Sequence, residues 1–226
     1  VQGVKWYALV LFYVAILCAS GYLSLRRKPG RVALALAASV FVLFTVMSYA
    51  PPERTQVSFL SVGLGDCTVI RTEDNRVAII DGGGGFYGGD TAENVILPYL
   101  FEENIRYIDA AIATHSDADH MEGIIGLLGK VEIGTIYAIR DDSALYQKLK
   151  ETAAVYGIPM RELFEGDKIE LSPLTLRVLS PSKDMLAYTG DNDRSIVIAA
   201  QVDGKEFLFL ADAERKAQSH LINNAS

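Results

Sequence analysis

The hydrophobic positions of the chain follow two different patterns, one before residue 52 and one after it. Residues 7–25 and 32–50 are nearly unbroken apolar runs. At about 1.5 Å of rise per residue, a helix of either length would cross the hydrocarbon core of a bilayer. The connector at 26–31 carries four basic residues, and basic connectors stay on the cytoplasmic side. Residues 1–52 are therefore predicted to form a transmembrane hairpin in the cell membrane, which would leave the rest of the chain on the extracytoplasmic side. A buried helical hairpin in a soluble protein is the alternative.

From residue 56 onward, short apolar segments alternate with polar turns, in the pattern of a mixed domain. Ten strands are expected, at 57–62, 67–70, 77–80, 107–113, 133–139, 160–163, 168–171, 174–180, 195–201 and 206–211. Four helices are expected, at 91–104, 121–128, 142–156 and 213–221, and 182–194 is expected to be a polar loop. This order of elements favours one domain over 56–226, with two sheets and helices on the outside.

The charge of the chain is concentrated in this second part. The formal net charge is −7, from 21 basic and 28 acidic residues. Six of the basic residues and one acidic residue lie before residue 56, which leaves 15 basic and 27 acidic residues in the domain. A domain this acidic does not attract polyanions by its overall field. Binding of nucleic acid would require metal ions or a local basic strip.

The candidate chemistry lies just after the predicted strand at 107–113. The chain has three histidines, and two of them fall within residues 114–120, Thr-His-Ser-Asp-Ala-Asp-His. Imidazoles interleaved with carboxylates are the donor set of a divalent metal site, although a surface loop of mixed polarity is the alternative. Asp81 follows the strand at 77–80 and opens a run of glycines. That run is not a phosphate-binding P-loop, because no Gly-Lys-Ser/Thr follows it.

Taken together, these motifs resemble the metallo-β-lactamase superfamily, and within it the ComEC competence-protein branch. The resemblance is carried by four segments: Ser-Val-Gly-Leu-Gly-Asp at 61–66, the histidine motif at 114–120, Asn-Asp-Arg-Ser-Ile-Val-Ile at 192–198, and the strand ending in Ala-Asp at 207–212. It implies an α+β fold, a metallo-β-lactamase-like αββα sandwich over residues 56–226, preceded by two transmembrane helices. It further implies a membrane DNA-uptake protein whose domain is a metal-dependent phosphodiesterase or nuclease acting on incoming DNA.

The resemblance also implies roles for individual residues. Five residues would bind one or two divalent ions, zinc or manganese: His115, Asp117, Asp119, His120 and Asp212. Asp119 would also be catalytic, by orienting or deprotonating a water molecule. Asp81 would fix the tautomer of a histidine, and Asn192 would line the site. A carboxylate at Asp117, where most of the superfamily has histidine, shifts the preference from zinc towards manganese or magnesium.

The sequence departs from the family pattern at several positions. Ser61, Leu64, Glu122 and Ala211 stand where the branch has aspartate, glutamine, glycine and glycine. No match to the superfamily's later histidine motif follows Asp212, so the domain is expected to be truncated and its site incomplete. DNA, the membrane and other competence proteins are the implied partners. Two alternatives remain open: a non-catalytic binding or gating module associated with a channel, and a membrane-anchored metallo-hydrolase of small esters or thioesters.

Overall fold

A computed structural model describes residues 54–84, 90–187, 190, 192–202 and 204–224, together with residues 37, 38, 40 and 41. The chain divides into two compact units, 1–51 with 102–104, and 52–101 with 105–226. Of residues 1–51, the four that are described are helical. The predicted transmembrane hairpin otherwise lies outside the described residues. Within the described residues, no helix has both the length and the apolar character needed to cross a membrane.

The second unit contains a six-stranded sheet in which the strands lie in chain order. Its strands are β1 (Gln56–Phe59), β2 (Thr68–Arg71), β3 (Val77–Ile80), β4 (Tyr107–Ala113), β5 (Glu132–Ala138) and β6 (Met160–Arg161). The pairs β1–β2 and β2–β3 are antiparallel, and β3 to β6 are parallel. The C-terminal ends of β3, β4 and β5 therefore meet at one edge of the sheet, which is where open sheets of this kind bind ligands.

A second sheet of four antiparallel strands has the order β10-β9-β8-β7. Its strands are β7 (Lys168–Leu171), β8 (Leu174–Ser180), β9 (Val197–Val202) and β10 (Lys205–Phe209). The α-helices among the described residues from 54 onward are α1 (Leu97–Glu102), α2 (Ala118–Leu127), α3 (Ala144–Val155) and α4 (Arg215–Asn224).

Two large apolar cores lie on the two faces of the first sheet. One core lies between the sheets and includes Ile112 from β4 and Leu176 from β8. The other lies on the opposite face of the first sheet, where Ile79 of β3 packs in the same cluster as Ile124 of α2. A smaller cluster joins α4 to the second sheet. Because the first sheet is covered on both faces, its central strand β4 is apolar almost throughout, as expected for a buried parallel strand.

This arrangement confirms the predicted two-sheet architecture with outer helices, and it corrects three local predictions. The helix expected at 91–104 starts as a π-helical turn, Ala92–Ile96, that leads into α1. Helix α2 starts at Ala118 rather than at 121, so the end of the histidine motif is helical. The expected loop at 182–194 contains two 3₁₀ turns, Lys183–Ala187 and Asn192–Arg194.

Candidate metal centre

The two histidines of the motif reach the same edge of the first sheet from a strand and from a helix. His115 lies two residues after the end of β4, and His120 lies in the first turn of α2. That turn closes when the backbone N–H of His120 donates to the carbonyl oxygen of Asp117 at 3.1 Å. The two imidazole rings are 4.2 Å apart between centroids, and the residues are only 5% and 1% exposed. The fold therefore buries the histidines together.

The glycines after β3 form the surface against which the first turns of α2 pack. The backbone N–H of Gly82 donates to the carbonyl of His120 at 2.8 Å, and that of Gly123 donates to the carbonyl of Gly83 at 3.0 Å. A Cβ atom at Gly123 would lie 1.9 Å from the carbonyl oxygen of Gly82. The approach of the two backbones thus depends on the absence of side chains. The glycine run holds the helix that presents His120.

The carboxyl group of Asp81 is completely buried and faces three hydrogen-bond donors. Its Oδ1 accepts from the backbone N–H of Thr114, and its Oδ2 accepts from the Thr114 hydroxyl, both at 2.8 Å. Oδ2 also lies 2.9 Å from Nδ1 of His120. Asp81 takes a left-handed backbone conformation, with a φ of 57°, which is uncommon for a residue other than glycine. Because Nδ1 of His120 faces Asp81, the other ring nitrogen, Nε2, points away from Asp81.

Both Nε2 atoms are buried and have no hydrogen-bond partner among the described residues. The carboxylate of Asp212 approaches them from the turn after β10, with Oδ1 3.3 Å from Nε2 of His120 and 43% of its side chain exposed. One ligand atom from each of His115, His120 and Asp212 lies within 4.8 Å of the other two. Buried polar atoms without a partner are rare, and two imidazole nitrogens with a carboxylate are suitable ligands for a divalent cation. The three residues therefore fit a metal ion.

The other two predicted ligands lie beside this group of three. Asp117 precedes α2, with its side chain 49% exposed and Oδ2 3.6 Å from Nε2 of His115. Asp119 is half-buried in the first turn of α2. A Cβ atom at Gly65 would lie 1.8 Å from the backbone oxygen of Asp119, so the loop after β1 packs directly on this turn. Neither aspartate belongs to the close group formed by His115, His120 and Asp212.

The side-chain amide of Asn192 donates to Glu214 at 3.0 Å. The next residue, Asp193, accepts from two backbone N–H groups at the start of α4, at 3.1 and 3.0 Å. The same segment reaches the site through its backbone, because the N–H of Ile196 donates to the carbonyl of Thr114 at 2.9 Å. The segment therefore fastens α4 and the second sheet to the end of β4, a role that the sequence motif did not reveal.

Ala211, which stands where the branch has glycine, precedes Asp212 in a left-handed conformation with a φ of 47°. An alanine pays a steric cost there that glycine avoids, of roughly 1 kcal/mol or somewhat more. The turn that delivers the Asp212 carboxylate is therefore strained, and the strain is located at the position where this chain departs from the pattern.

The carboxylates around His120 raise its pKa to about 9. Burial acts in the opposite direction, but the hydrogen bond and charge of Asp81 and the charges of Asp212 and Asp119 outweigh it. Burial also raises the pKa of Asp81, although the hydrogen bonds from His120 and Thr114 act to lower it. We assign the proton of this buried pair to His120, because Asp81 faces three donors. A cation binding at Nε2 would therefore have to displace a proton.

One polar contact near the site involves Asp141, a residue that no sequence motif singles out. Asp141, three residues after the end of β5, accepts hydrogen bonds from the hydroxyl of Ser116 and, at 2.8 Å, from the backbone N–H of Ser143. The signal that could have identified it is its position, because an acidic residue just after a parallel strand lies at the same edge as the histidine motif.

Comparison with known proteins assigns this fold and site to a family. Residues 60–223 match the metallo-β-lactamase superfamily. The chain belongs to that superfamily. Its members are generally metal-dependent hydrolases, in agreement with the group formed by His115, His120 and Asp212.

The metallo-β-lactamase domain also matches two curated proteins. ComE operon protein 3 of Bacillus subtilis is 24% identical over 182 residues, which cover 74% of this chain and 23% of that protein. Recombination protein 2 of Haemophilus influenzae is 29% identical over 180 residues, which cover 78% of this chain and 21% of that protein. The resemblance to the ComEC branch is thereby confirmed, and the chain spans less than a quarter of the length of these relatives.

Among solved structures, a motif mutant of a metallo-β-lactamase from Cronobacter sakazakii is 17% identical, with a TM-score of 0.47. The similarity covers 72% of this chain and 64% of that one.

Proposed function

We propose that this metallo-β-lactamase domain hydrolyses phosphodiester bonds in DNA with a bound divalent metal ion, as part of a membrane protein for DNA uptake. The observation that carries the proposal is the pair of buried Nε2 atoms of His115 and His120, which have no partner among the described residues and lie beside the Asp212 carboxylate. Such an arrangement is costly for folding alone, and a metal ion would remove that cost.

The proposed ligands are the residues of the motif and Asp212. His115, His120 and Asp212 would hold the ion. Asp117 and Asp119, which lie between the two histidines in the chain, would complete its coordination shell or hold a second ion. The mixture of imidazole and carboxylate suits zinc or manganese. When bound, the metal would lower the pKa of a water molecule and polarise a phosphoryl oxygen. Asp119, half-buried beside His120, would act as the base that orients or deprotonates the attacking water.

The proposed substrate comes from the relatives, and the proposed location comes from the sequence. Their names associate them with the ComE operon and with recombination. Together with the resemblance to the ComEC branch, these names favour DNA as the substrate and other DNA-uptake proteins as partners. The apolar runs at 7–25 and 32–50 would anchor the chain in the cell membrane as part of a multi-pass protein. The basic connector would place the domain on the extracytoplasmic side, where it would meet incoming DNA.

A nuclease assay on the purified chain tests the proposal. With manganese or zinc present, the unsubstituted chain is expected to cleave a labelled DNA oligonucleotide, and His115→Ala and Asp119→Ala are expected to lose about 100-fold or more of the rate. His220→Ala is the matched control, because His220 is outside the group formed by His115, His120 and Asp212 and its ring contacts Glu165 at 2.9 Å. This variant should leave the rate unchanged.

Metal analysis of the same samples separates the proposal from its main alternative. Mass spectrometry should find a bound metal in the unsubstituted chain and in His220→Ala, and less in His115→Ala. Equal cleavage by all variants would contradict the proposal, since it would indicate a contaminating nuclease. A chain that holds no metal and does not cleave DNA would instead favour the non-catalytic module.

A further inference from the structure

Thr114 occupies a central position between the two histidines and Asp81, although no role was expected of it. It is completely buried. Its hydroxyl oxygen lies 2.8 Å from Oδ2 of Asp81 and 3.0 Å from Nδ1 of His115. Its backbone is held as well, with the N–H donating to Asp81 and the carbonyl accepting from Ile196. The hydroxyl is therefore fixed in a position where it contacts a carboxylate and an imidazole at once.

A hydroxyl group has one proton, so it can donate to only one of these two neighbours. The carboxylate of Asp81 has no proton to give when it is ionised, and it already accepts from the backbone N–H of Thr114. The Thr114 hydroxyl must then donate to Asp81 and accept from the other side. Nδ1 of His115 is the group on that side, which makes it the donor. In a neutral imidazole with a proton on Nδ1, the lone pair is on Nε2.

We infer that Thr114 is a positioning residue that links Asp81 to His115, so that one buried carboxylate holds a proton on Nδ1 of both histidines and thereby sets the tautomer of the neutral His115 ring. Asp81 acts on His120 directly, through Nδ1 at 2.9 Å, and on His115 through the Thr114 hydroxyl. Nε2 of His115 is then unprotonated, and Nε2 of His120 becomes so when a cation displaces its proton, so that both atoms can bind an ion together with Asp212. The inference deepens the proposed function and rests on it for the bound metal, but the tautomer itself is a property of the metal-free chain.

The tautomer can be observed directly, because the chain has only three histidines. Long-range proton–nitrogen NMR spectra of a sample with ¹⁵N-labelled histidine rings would show three ring systems, and His220→Gln assigns one of them by its loss. The expected result for metal-free chain, at a pH at which the His115 ring is uncharged, is a protonated Nδ1 and an unprotonated Nε2. A His115 ring protonated on Nε2 would overturn the inference, because the Thr114 hydroxyl would then be donating to the imidazole.

Two substitutions at Thr114 test whether the hydroxyl is responsible. Thr114→Val removes it with little change of shape, and Thr114→Ser keeps it. In the valine variant Nδ1 of His115 loses its acceptor, whereas Nε2 has the Asp117 carboxylate at 3.6 Å, so the proton is expected to move to Nε2. The serine variant should retain the original tautomer. An unchanged His115 spectrum in the valine variant would contradict the role of the hydroxyl.

Metal affinity gives a second measurement that does not involve catalysis. Loss of a group that orients a metal-binding histidine typically lowers metal affinity by about 10–100-fold, so Thr114→Val should bind zinc or manganese that much more weakly in a chelator competition. Thr114→Ser should bind nearly as tightly as the unsubstituted chain. Thr72→Val is the matched control, because Thr72 is also completely buried and its hydroxyl accepts from the backbone N–H of Arg76 at 3.0 Å.

These outcomes distinguish the inference from the proposed function. A chain that binds metal, shows the expected tautomer and responds to Thr114→Val, but does not cleave DNA, would refute the proposed nuclease and leave the inference intact. A chain that cleaves DNA while His115 is protonated on Nε2 would support the proposed nuclease and refute the inference. If the valine variant fails to fold, the spectrum of the unsubstituted chain and the serine variant still decide the question.

Discussion

At the scale of single residues, the site is organised by a carboxylate that does not belong to the group of three possible metal ligands. Asp81 is buried at the end of β3 and accepts from Thr114 and His120. Each of these contacts fixes an atom next to a candidate ligand. Metal sites commonly depend on such supporting contacts nearly as strongly as on the ligands.

Asp81→Asn tests this dependence. An asparagine offers one acceptor oxygen and a donor amide, so at least one of the donors now facing Asp81 would meet another donor. We expect metal affinity to fall by about 10–100-fold, measured by competition with a chromophoric chelator.

Asp109→Asn is the matched control for this substitution. Asp109 is also a largely buried aspartate of the same sheet, with Oδ2 accepting from the backbone N–H of Val77 at 2.8 Å and Oδ1 pairing with Arg76. This variant should lose stability and retain its metal affinity. If the two variants bound metal equally well, Asp81 would have a structural role alone.

At the scale of elements, the site depends on how closely a loop approaches a helix. The backbone of the glycine run contacts the first turns of α2 through hydrogen bonds from Gly82 and Gly123. Both glycines are in contact with backbone atoms of the other segment, and a Cβ at Gly82 would lie 2.5 Å from the backbone nitrogen of Ile124. Since α2 carries His120, this contact sets the position of one candidate ligand relative to Asp81.

Gly123→Ala is expected to separate the loop from the helix. Its Cβ would lie 1.9 Å from the Gly82 oxygen, and because neither atom belongs to a flexible side chain, the backbones must move apart. Overpacking of this kind typically destabilises a protein by about 1–3 kcal/mol. Urea unfolding should show this loss, and metal affinity should fall with it.

Gly190→Ala provides the comparison, because a Cβ there meets nothing within 4 Å and its φ is not in the left-handed region. This variant should unfold at nearly the same urea concentration as the unsubstituted chain. A Gly123→Ala variant that matched it would show that the loop and helix can separate at no cost.

At the scale of the whole molecule, the sequence determined the architecture more completely than it determined the site. Strands β3 and β4 were predicted at their observed bounds, because each is an apolar run that ends at a polar residue. Helix α2 was placed three residues late, since the acidic residues of the motif resemble a loop although Asp117 precedes the first turn. The two-sheet fold follows from the order of elements, which local patterns are sufficient to give.

The contacts that organise the site could not be predicted in the same way, because they join residues far apart in the chain. The hydroxyl of Thr114 acquires its role from Asp81, which is 33 positions away. The amide of Asn192 likewise donates to Glu214, which is 22 positions away. Periodicity and spacing carry no information about such pairs. The residues of the motif could be recognised, whereas the hydrogen bonds that orient them required the fold.

The stability of the whole domain should depend on pH through His120, with a sign that follows from its raised pKa. The ordinary value is 6.5, and the folded chain raises it to about 9. Between these values the folded state of the metal-free chain binds more protons than the unfolded state, so the free energy of unfolding falls as the pH rises. The contribution is fully present below 6.5 and is lost as the pH passes about 9.

Urea unfolding in the presence of a chelator, at intervals from about pH 6 to about pH 9, should show this decline. His120→Gln should flatten it and His220→Gln should leave it in place, so equal slopes in both variants would assign the dependence to other groups. With saturating metal the trend should weaken or reverse, because the cation must displace the His120 proton and so binds more tightly at higher pH. A decline that stayed the same with and without metal would mean that the cation does not bind at His120.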